Sequence, residues 1–171
     1  MTKLVVFAVL ISLFTQCTNN SVKINNTVMD NITGEEIIIG KCNSEIFAIH
    51  PFNQWFTSEY NSYSPNMATL DSLKTLSLKN IQIVAVVGSW CGDTHRELPR
   101  FIKITNQSKL QKIETVIIAV DYKKMAPDCG IDTLNITKIP VFIFYRNNSE
   151  IGRITEAPHK NLESDIIAIL K

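Results

Sequence analysis

Cys91 is the residue of this chain best placed to do chemistry. It lies in Ser89-Trp90-Cys91-Gly92-Asp93-Thr94, directly after an apolar run and directly before an amphipathic one. A cysteine opening a helix faces N–H groups without helical partners and the positive end of the helix dipole. That field favours a thiolate over a thiol. The chemistry such a sulfur supports is nucleophilic attack on a disulfide. Thr94, one helical turn on, has a hydroxyl suited to donate to the thiolate, since a hydrogen bond to the charged form favours it. It has no sulfur with which to close a disulfide. His95 falls on the same helix face as Cys91, where a charged imidazole would also favour the thiolate. Arg96 and Arg100 continue that surface. The bland alternatives are a buried inert thiol at Cys91, a plain first-turn residue at Thr94 and a solvated histidine at His95.

Positioning such a cysteine takes a strand before it and a helix after it. Ile81–Val87 is a nearly continuous apolar run, as a central strand buried on both faces requires. The helix over His95–Asn106 carries Leu98, Phe101, Ile102 and Thr105 on one face, with a kink expected at Pro99. Thr115–Val120 reads as another strand. Tyr122–Leu134 is an irregular connection containing Cys129. Val141–Tyr145 and Glu150–Thr155 form a hairpin about Asn147-Asn148, because asparagine tolerates the positive φ of tight turns. Asn161–Leu170 closes the chain as an amphipathic helix. Upstream, Glu35–Lys41 is read as a strand, and Glu45–Tyr60 and Met67–Leu78 as helices. Phe52, Trp55, Phe56 and Tyr60 form an aromatic stripe that covers one face of the sheet, the alternative being a peptide-binding groove. This order gives an α/β protein with a mixed sheet covered by helices on both faces.

These segments together resemble the thioredoxin-like family. Trp90-Cys91-Gly92 is similar to the start of that family's Trp-Cys-Gly-x-Cys site, and Pro99 to the proline of its active-site helix. Ile139-Pro140 resembles its cis-proline step, and Asn147-Asn148-Ser149 its tight hairpin. The resemblance covers roughly residues 79–171 and implies a thioredoxin fold. It implies that Trp90 and Pro140 shape the site with Cys91, and that Ile139, Gly92 and Asp93 meet an extended substrate. The chain departs from the pattern at two places. Thr94 stands where the second cysteine belongs, and Ala85 where the family often has a buried acid serving that cysteine. Their joint loss points to a one-cysteine mechanism, in which mixed disulfides form on protein or low-molecular-weight disulfides. The remaining cysteines, Cys42 and Cys129, are candidates for a structural disulfide or for resolving a mixed disulfide at Cys91.

The 171 residues suffice for one domain and a targeting segment. A formal net charge of +1, with no basic run, argues against nucleic acid as a partner. Lys3 followed by the apolar run Leu4–Phe14 fits a signal peptide and is too short to span a bilayer. Phe14-Thr15-Gln16-Cys17 resembles a bacterial lipoprotein signal, in which Cys17 becomes the lipidated first residue. The alternative is ordinary secretion. The expected organisation is a signal peptide (1–16), a flexible tether (17–33), an N-terminal extension of one strand and two helices (34–78) and a thioredoxin-like core (79–171). Export to the bacterial envelope, anchored in the membrane and facing the periplasm, would favour disulfide chemistry. No glycine-rich phosphate loop or metal motif occurs, and the exchange needs no metal or organic cofactor. Two rival readings are a redox-inactive binding module and an envelope metallochaperone using Cys91 and His95.

Overall fold

The computed structural model describes residues 24–171. The segment read as a signal peptide, and Cys17, lie outside the described residues. Six strands form one sheet in the order β1-β2-β4-β3-β5-β6. The strands are β1 (Asn26–Met29), β2 (Glu36–Cys42), β3 (Ile81–Val87), β4 (Thr115–Ala119), β5 (Val141–Arg146) and β6 (Ser149–Thr155). Among the described residues only β3 and β4 run parallel, with Ala85 opposite Ile117, and β5 joins β3 antiparallel with Ala85 opposite Phe142. The central strand is thus the apolar run Ile81–Val87, paired on both sides as its composition demands.

Alternation along β3 and β4 separates two faces. Ile83, Ala85, Val87, Ile117 and Ala119 enter the larger core with Phe142 and Phe144. Four helices pack on that core: α2 (Met67–Leu73), α3 (Gly92–Asn106) and α4 (Leu162–Leu170) bury residues in it, and α1 (Asn53–Ser62) lays Trp55, Phe56 and Tyr60 against it; Ile38, Phe47 and Leu110 from outside the helices complete it. Phe101 of α3 stacks on Phe142 with ring centroids 4.3 Å apart. Val86, Ile118 and Val120 face the other way, into a smaller cluster with Ala126, Ile131 and Ile139. Among the described residues that second face carries no α-helix. The 121–138 connection covers it, with one short 3-10 turn at Ile131–Thr133. Helices therefore flank the sheet as the fold class requires, but all four pack on one face, not on both.

The N-terminal segments differ from the sequence reading in three ways. Asn26–Met29, assigned to a flexible tether, is β1, paired antiparallel with β2 through Thr27 opposite Ile38. Backbone pairing secures this polar strand, so its side chains give no apolar signal. The helix expected over Glu45–Tyr60 is two pieces, a 3-10 segment at Ser44–Ala48 and α1, separated by the cis His50-Pro51 step. The helix expected over Met67–Leu78 stops at Leu73, where the Lys74 N–H turns to the carbonyls of Asp71 and Ser72 and tightens the end.

The extension and the core hold each other at α1, α3 and α4. Arg100 of α3 pairs with Glu59 of α1 at 2.6 Å, and Lys103 donates to the carbonyls of Tyr60 and Tyr63. Glu163 of α4 is buried, and both of its oxygens are used. Oε2 accepts from the Tyr63 hydroxyl at 2.9 Å and Oε1 from the Asn66 N–H at 2.8 Å. Burial first, and then the bond to Glu163, raise the Tyr63 phenol above its ordinary pKa.

Candidate active site

Cys91 is the N-cap residue of α3, with extended backbone (φ −93°, ψ 124°) and no side-chain bond to the helix N–H groups. Strand β3 ends at Val87, and Gly88-Ser89-Trp90 turn the chain into the helix. The Cys91 N–H closes that turn on the Gly88 carbonyl at 2.9 Å. Gly88 is required by space: a Cβ there would lie 2.6 Å from Ile139 Cδ1 and 2.9 Å from Trp90 Cε2. The Cys91 thiol is half-buried and points to the Ile139 carbonyl, with Sγ 3.7 Å from the oxygen. The Ile139-Pro140 bond is cis, and the Pro140 carbonyl accepts from the Glu156 N–H at 2.8 Å. Cys91 and Pro140, far apart in sequence, thus meet across Ile139.

Two aromatic stacks flank the thiol. Trp90 donates from its indole N–H to the Val120 carbonyl at 2.9 Å and stacks on Tyr122 at 4.2 Å. On the other side His95 stacks on Trp55 of α1, with ring centroids 4.3 Å apart. His95 Nε2 lies 2.7 Å from the Ser89 carbonyl, which fixes Nε2 as the N–H donor. His95 is thereby tied to the turn before Cys91, and its Nε2 bond goes to a carbonyl, not to the sulfur. Ser89 is buried and accepts from the Ile38 N–H of β2 at 3.0 Å, fastening the turn to the extension.

Thr94 is fully buried, and its hydroxyl oxygen accepts from the Gly88 N–H at 3.3 Å. The bond seen in the structure therefore ties α3 to the end of β3. That bond uses a lone pair of the hydroxyl and not the O–H proton expected to serve the Cys91 thiolate. Gly92 is exposed, and Asp93 is half-buried and paired with Arg96 at 2.8 Å. Arg96 also reaches Glu97 at 2.6 Å, while Arg100 turns to Glu59.

Cys42 and Cys129 belong to different apolar clusters. Cys42 joins the larger core, Cys129 the cluster on the second face, and both are free thiols. The structural disulfide considered for them is not present. Burial, with a smaller contribution from Cys129, pushes the Cys42 thiol up to about 12. Cys129 is half-buried and packs against the same cluster as Trp90 and Cys91. Among the described residues, no group of three His, Cys, Asp or Glu side chains is placed to hold a metal ion. No helix among them is long and apolar enough to cross a membrane.

Sequence reading missed Ser89, Trp55, Tyr122, Lys138 and Glu156 as neighbours of the site. Only the aromatic stripe on α1 gave any signal, and it pointed to packing.

The sheet order, the helix begun by Cys91 and the cis-proline loop beside the sulfur define a thioredoxin fold. No protein-family model matches the chain. A Dictyostelium discoideum protein described as a candidate thioredoxin, thioredoxin-5, is 32% identical over 95 residues, which are 54% of this chain and 87% of that one. The chain belongs to the thioredoxin-like family. Among solved structures it is similar to a Pseudomonas aeruginosa protein of unknown function, with a TM-score of 0.53 and 20% identity over 77% of this chain and 80% of that one. It is also similar to Fasciola hepatica thioredoxin, with a TM-score of 0.41 and 17% identity over 61% of this chain and 90% of that one.

Proposed function

We propose that this chain carries out thiol–disulfide exchange on exported proteins through Cys91 alone. Membership of the thioredoxin-like family supports redox chemistry at a disulfide in general. The observation that carries the one-cysteine form is the pair Cys91 and Thr94: a half-buried sulfur on the N-cap residue of α3, and a buried hydroxyl where a second thiol would stand. Cys91 Sγ attacks one sulfur of a substrate disulfide. The S–S bond breaks, a mixed disulfide forms, and the leaving thiolate takes up a proton. A second thiol then attacks the substrate sulfur of the mixed disulfide, returns Cys91 as a thiolate and becomes bonded to that sulfur. A further thiol equivalent breaks that last bond, so two thiols are oxidised to a disulfide as the substrate disulfide is reduced to two thiols.

The resolving thiol is best supplied from outside. Cys42 is buried with its proton firmly held, which removes it as a nucleophile near neutral pH. Cys129 is the internal candidate, being half-buried against the same cluster as Cys91; its attack on Cys91 Sγ would free the substrate thiol and leave a Cys91–Cys129 disulfide for an external dithiol to reduce. Trp90 and Ile139 wall the sulfur, Pro140 closes the loop beside it, and Gly92 and Asp93 form the rim that meets the substrate. The metallochaperone reading is disfavoured because His95 is engaged with Ser89 and Trp55.

Lipidation at Cys17 would hold the domain at the membrane of the bacterial envelope, facing the periplasm. Membrane fractionation and mass spectrometry of wild type and Cys17→Ser test it; a wild-type protein without lipid overturns it. For the exchange itself, wild type incubated with oxidised glutathione should gain one adduct, located at Cys91, and Cys91→Ser should gain none there. Equal labelling of both proteins would leave the redox-inactive binding module as the better reading.

A further inference from the structure

Between the end of β3 and Cys91 the chain has only Gly88, Ser89 and Trp90 with which to place the sulfur. Ser89 is buried, and both of its oxygens are held. The Ile38 N–H of β2 donates to its hydroxyl oxygen at 3.0 Å, and His95 Nε2 donates to its carbonyl at 2.7 Å. His95 is itself fixed from the N-terminal extension. Its ring lies on Trp55 of α1, with centroids 4.3 Å and planes 15° apart. Trp55 meets the fully buried Phe47 edge-on at 5.8 Å. Trp90 is reached from the extension as well. Tyr122 stacks on it at 4.2 Å, and the Tyr122 hydroxyl donates to Glu35, just before β2, at 3.2 Å.

These contacts converge on the turn that carries Cys91. That turn decides where Sγ lies relative to the first N–H groups of α3, and a thiolate is favoured only while it stays beside them. A buried carbonyl stripped of its donor costs free energy until the chain around it rearranges. At Ser89 that rearrangement would fall two residues before the sulfur. The Nε2 bond survives a change of charge on the ring, because Nδ1 takes the further proton. Another contact of the same extension serves as a contrast. Glu59 of α1 pairs with Arg100, farther along α3, at 2.6 Å, and Arg100 makes no bond to the turn.

We infer that the N-terminal extension is part of the reactive site: Trp55, His95 and Ser89 act in series as positioning residues that hold the Cys91 sulfur at the start of α3. They act through the turn and not on the substrate. This rests on the exchange reading and deepens it, because it assigns the reactivity of the thiol to a segment outside the thioredoxin-like core.

The test is the rate at which iodoacetamide alkylates Cys91, located by mass spectrometry, near neutral pH and at its alkaline plateau. The ratio of the two rates reads the thiolate fraction, and the plateau alone reads access. His95→Leu should lower the ratio by about fivefold to tenfold, the equivalent of one buried hydrogen bond, and leave the plateau unchanged. Trp55→Leu should lower it by about threefold, since the imidazole keeps its donor but loses its support. His95→Gln, whose amide N–H can reach the same carbonyl, should restore most of the ratio. Glu59→Gln should lower the thermal midpoint and leave the ratio as in wild type. Folding is checked by circular dichroism; if His95→Leu does not fold, Trp55→Leu decides. An unchanged ratio in the folded variants overturns the inference, as does a plateau that falls along with it. A His95→Gln protein as slow as His95→Leu would assign the effect to ring charge, and a Glu59→Gln protein equally slow would assign it to general loosening; each overturns positioning. Oxidised glutathione is run in parallel. If wild type forms no mixed disulfide at Cys91, the exchange reading fails, and the alkylation rates alone decide the role of the extension.

Discussion

The two faces of the sheet are covered by different means, and their cysteines differ accordingly. On one face four helices bury Ile83, Phe101, Phe142 and Phe144 almost completely. Cys42 is sealed there and its thiol is pushed up to about 12. On the other face an irregular connection buries Val86, Ile118 and Val120 but leaves Val84, Val116, Ile136 and Cys129 half-buried. Cys91 stands at the end of β3, where the helical face meets that thinner cover. The helical face gives α3 a firm base, while the thinner face leaves the sulfur reachable. A reactive thiol needs both, since full burial holds the proton and loose support loses the geometry.

Truncating a buried isoleucine on one face and a half-buried one on the other tests the contrast most strongly. Ile83→Ala on the helical face should cost about 2–5 kcal/mol, and Ile136→Ala on the other about 1 kcal/mol, by denaturant unfolding. Equal costs would show that the second face is packed as firmly as the first. Glu163→Ala should cost about 1–3 kcal/mol, because it strands the Tyr63 hydroxyl and the Asn66 N–H. A neutral result would remove α4 as the anchor of the extension.

Smaller effects separate the thiols. With iodoacetamide near neutral pH, Cys42 should react at least about tenfold more slowly than Cys129 and reach parity only on unfolding. Mass spectrometry of labelled peptides reads this directly, and rapid labelling of native Cys42 would contradict its burial. The same burial makes stability depend on alkaline pH. Cys42 is raised from 9.0 to about 12 on folding, so its contribution is whole below about pH 9 and is lost as pH rises toward 12. Between about pH 9 and 10 the loss should be about 1 kcal/mol, and Cys42→Ala should reduce it. An unchanged slope in the variant would place the alkaline transition elsewhere.

The contrast between the faces also explains what could be read from sequence. β3, β4, β5 and α4 announce themselves because an apolar run or stripe must be buried. Cys91, Trp90 and Pro140 are legible because their local neighbours carry the pattern. β1 is not, since Asn26–Met29 is held by backbone pairing. The break in the first helix follows from His50-Pro51, whose effect depends on where the chain turns. Contacts between distant segments, such as Trp55 on His95 and Ser89 with Ile38, leave no local trace. For the same reason, the crowding of all four helices on one face was beyond a reading of element order.

The central claim is that Cys91 acts without an internal partner at position 94. Thr94 is buried one turn after Cys91, so Thr94→Cys places a thiol within reach of a mixed disulfide at low steric cost. Ala85, in place of a buried acid, leaves that thiol without help in losing its proton, which limits the gain. The measurement is turnover in a dithiol-driven disulfide reduction assay, with Cys42 and Cys129 both replaced by serine and intact mass recorded alongside. The account predicts that the Thr94 protein accumulates a mixed disulfide at Cys91, and that Thr94→Cys discharges it as an internal disulfide and turns over faster. A Thr94 protein that already turns over as fast as Thr94→Cys, with no mixed disulfide accumulating, would contradict the account.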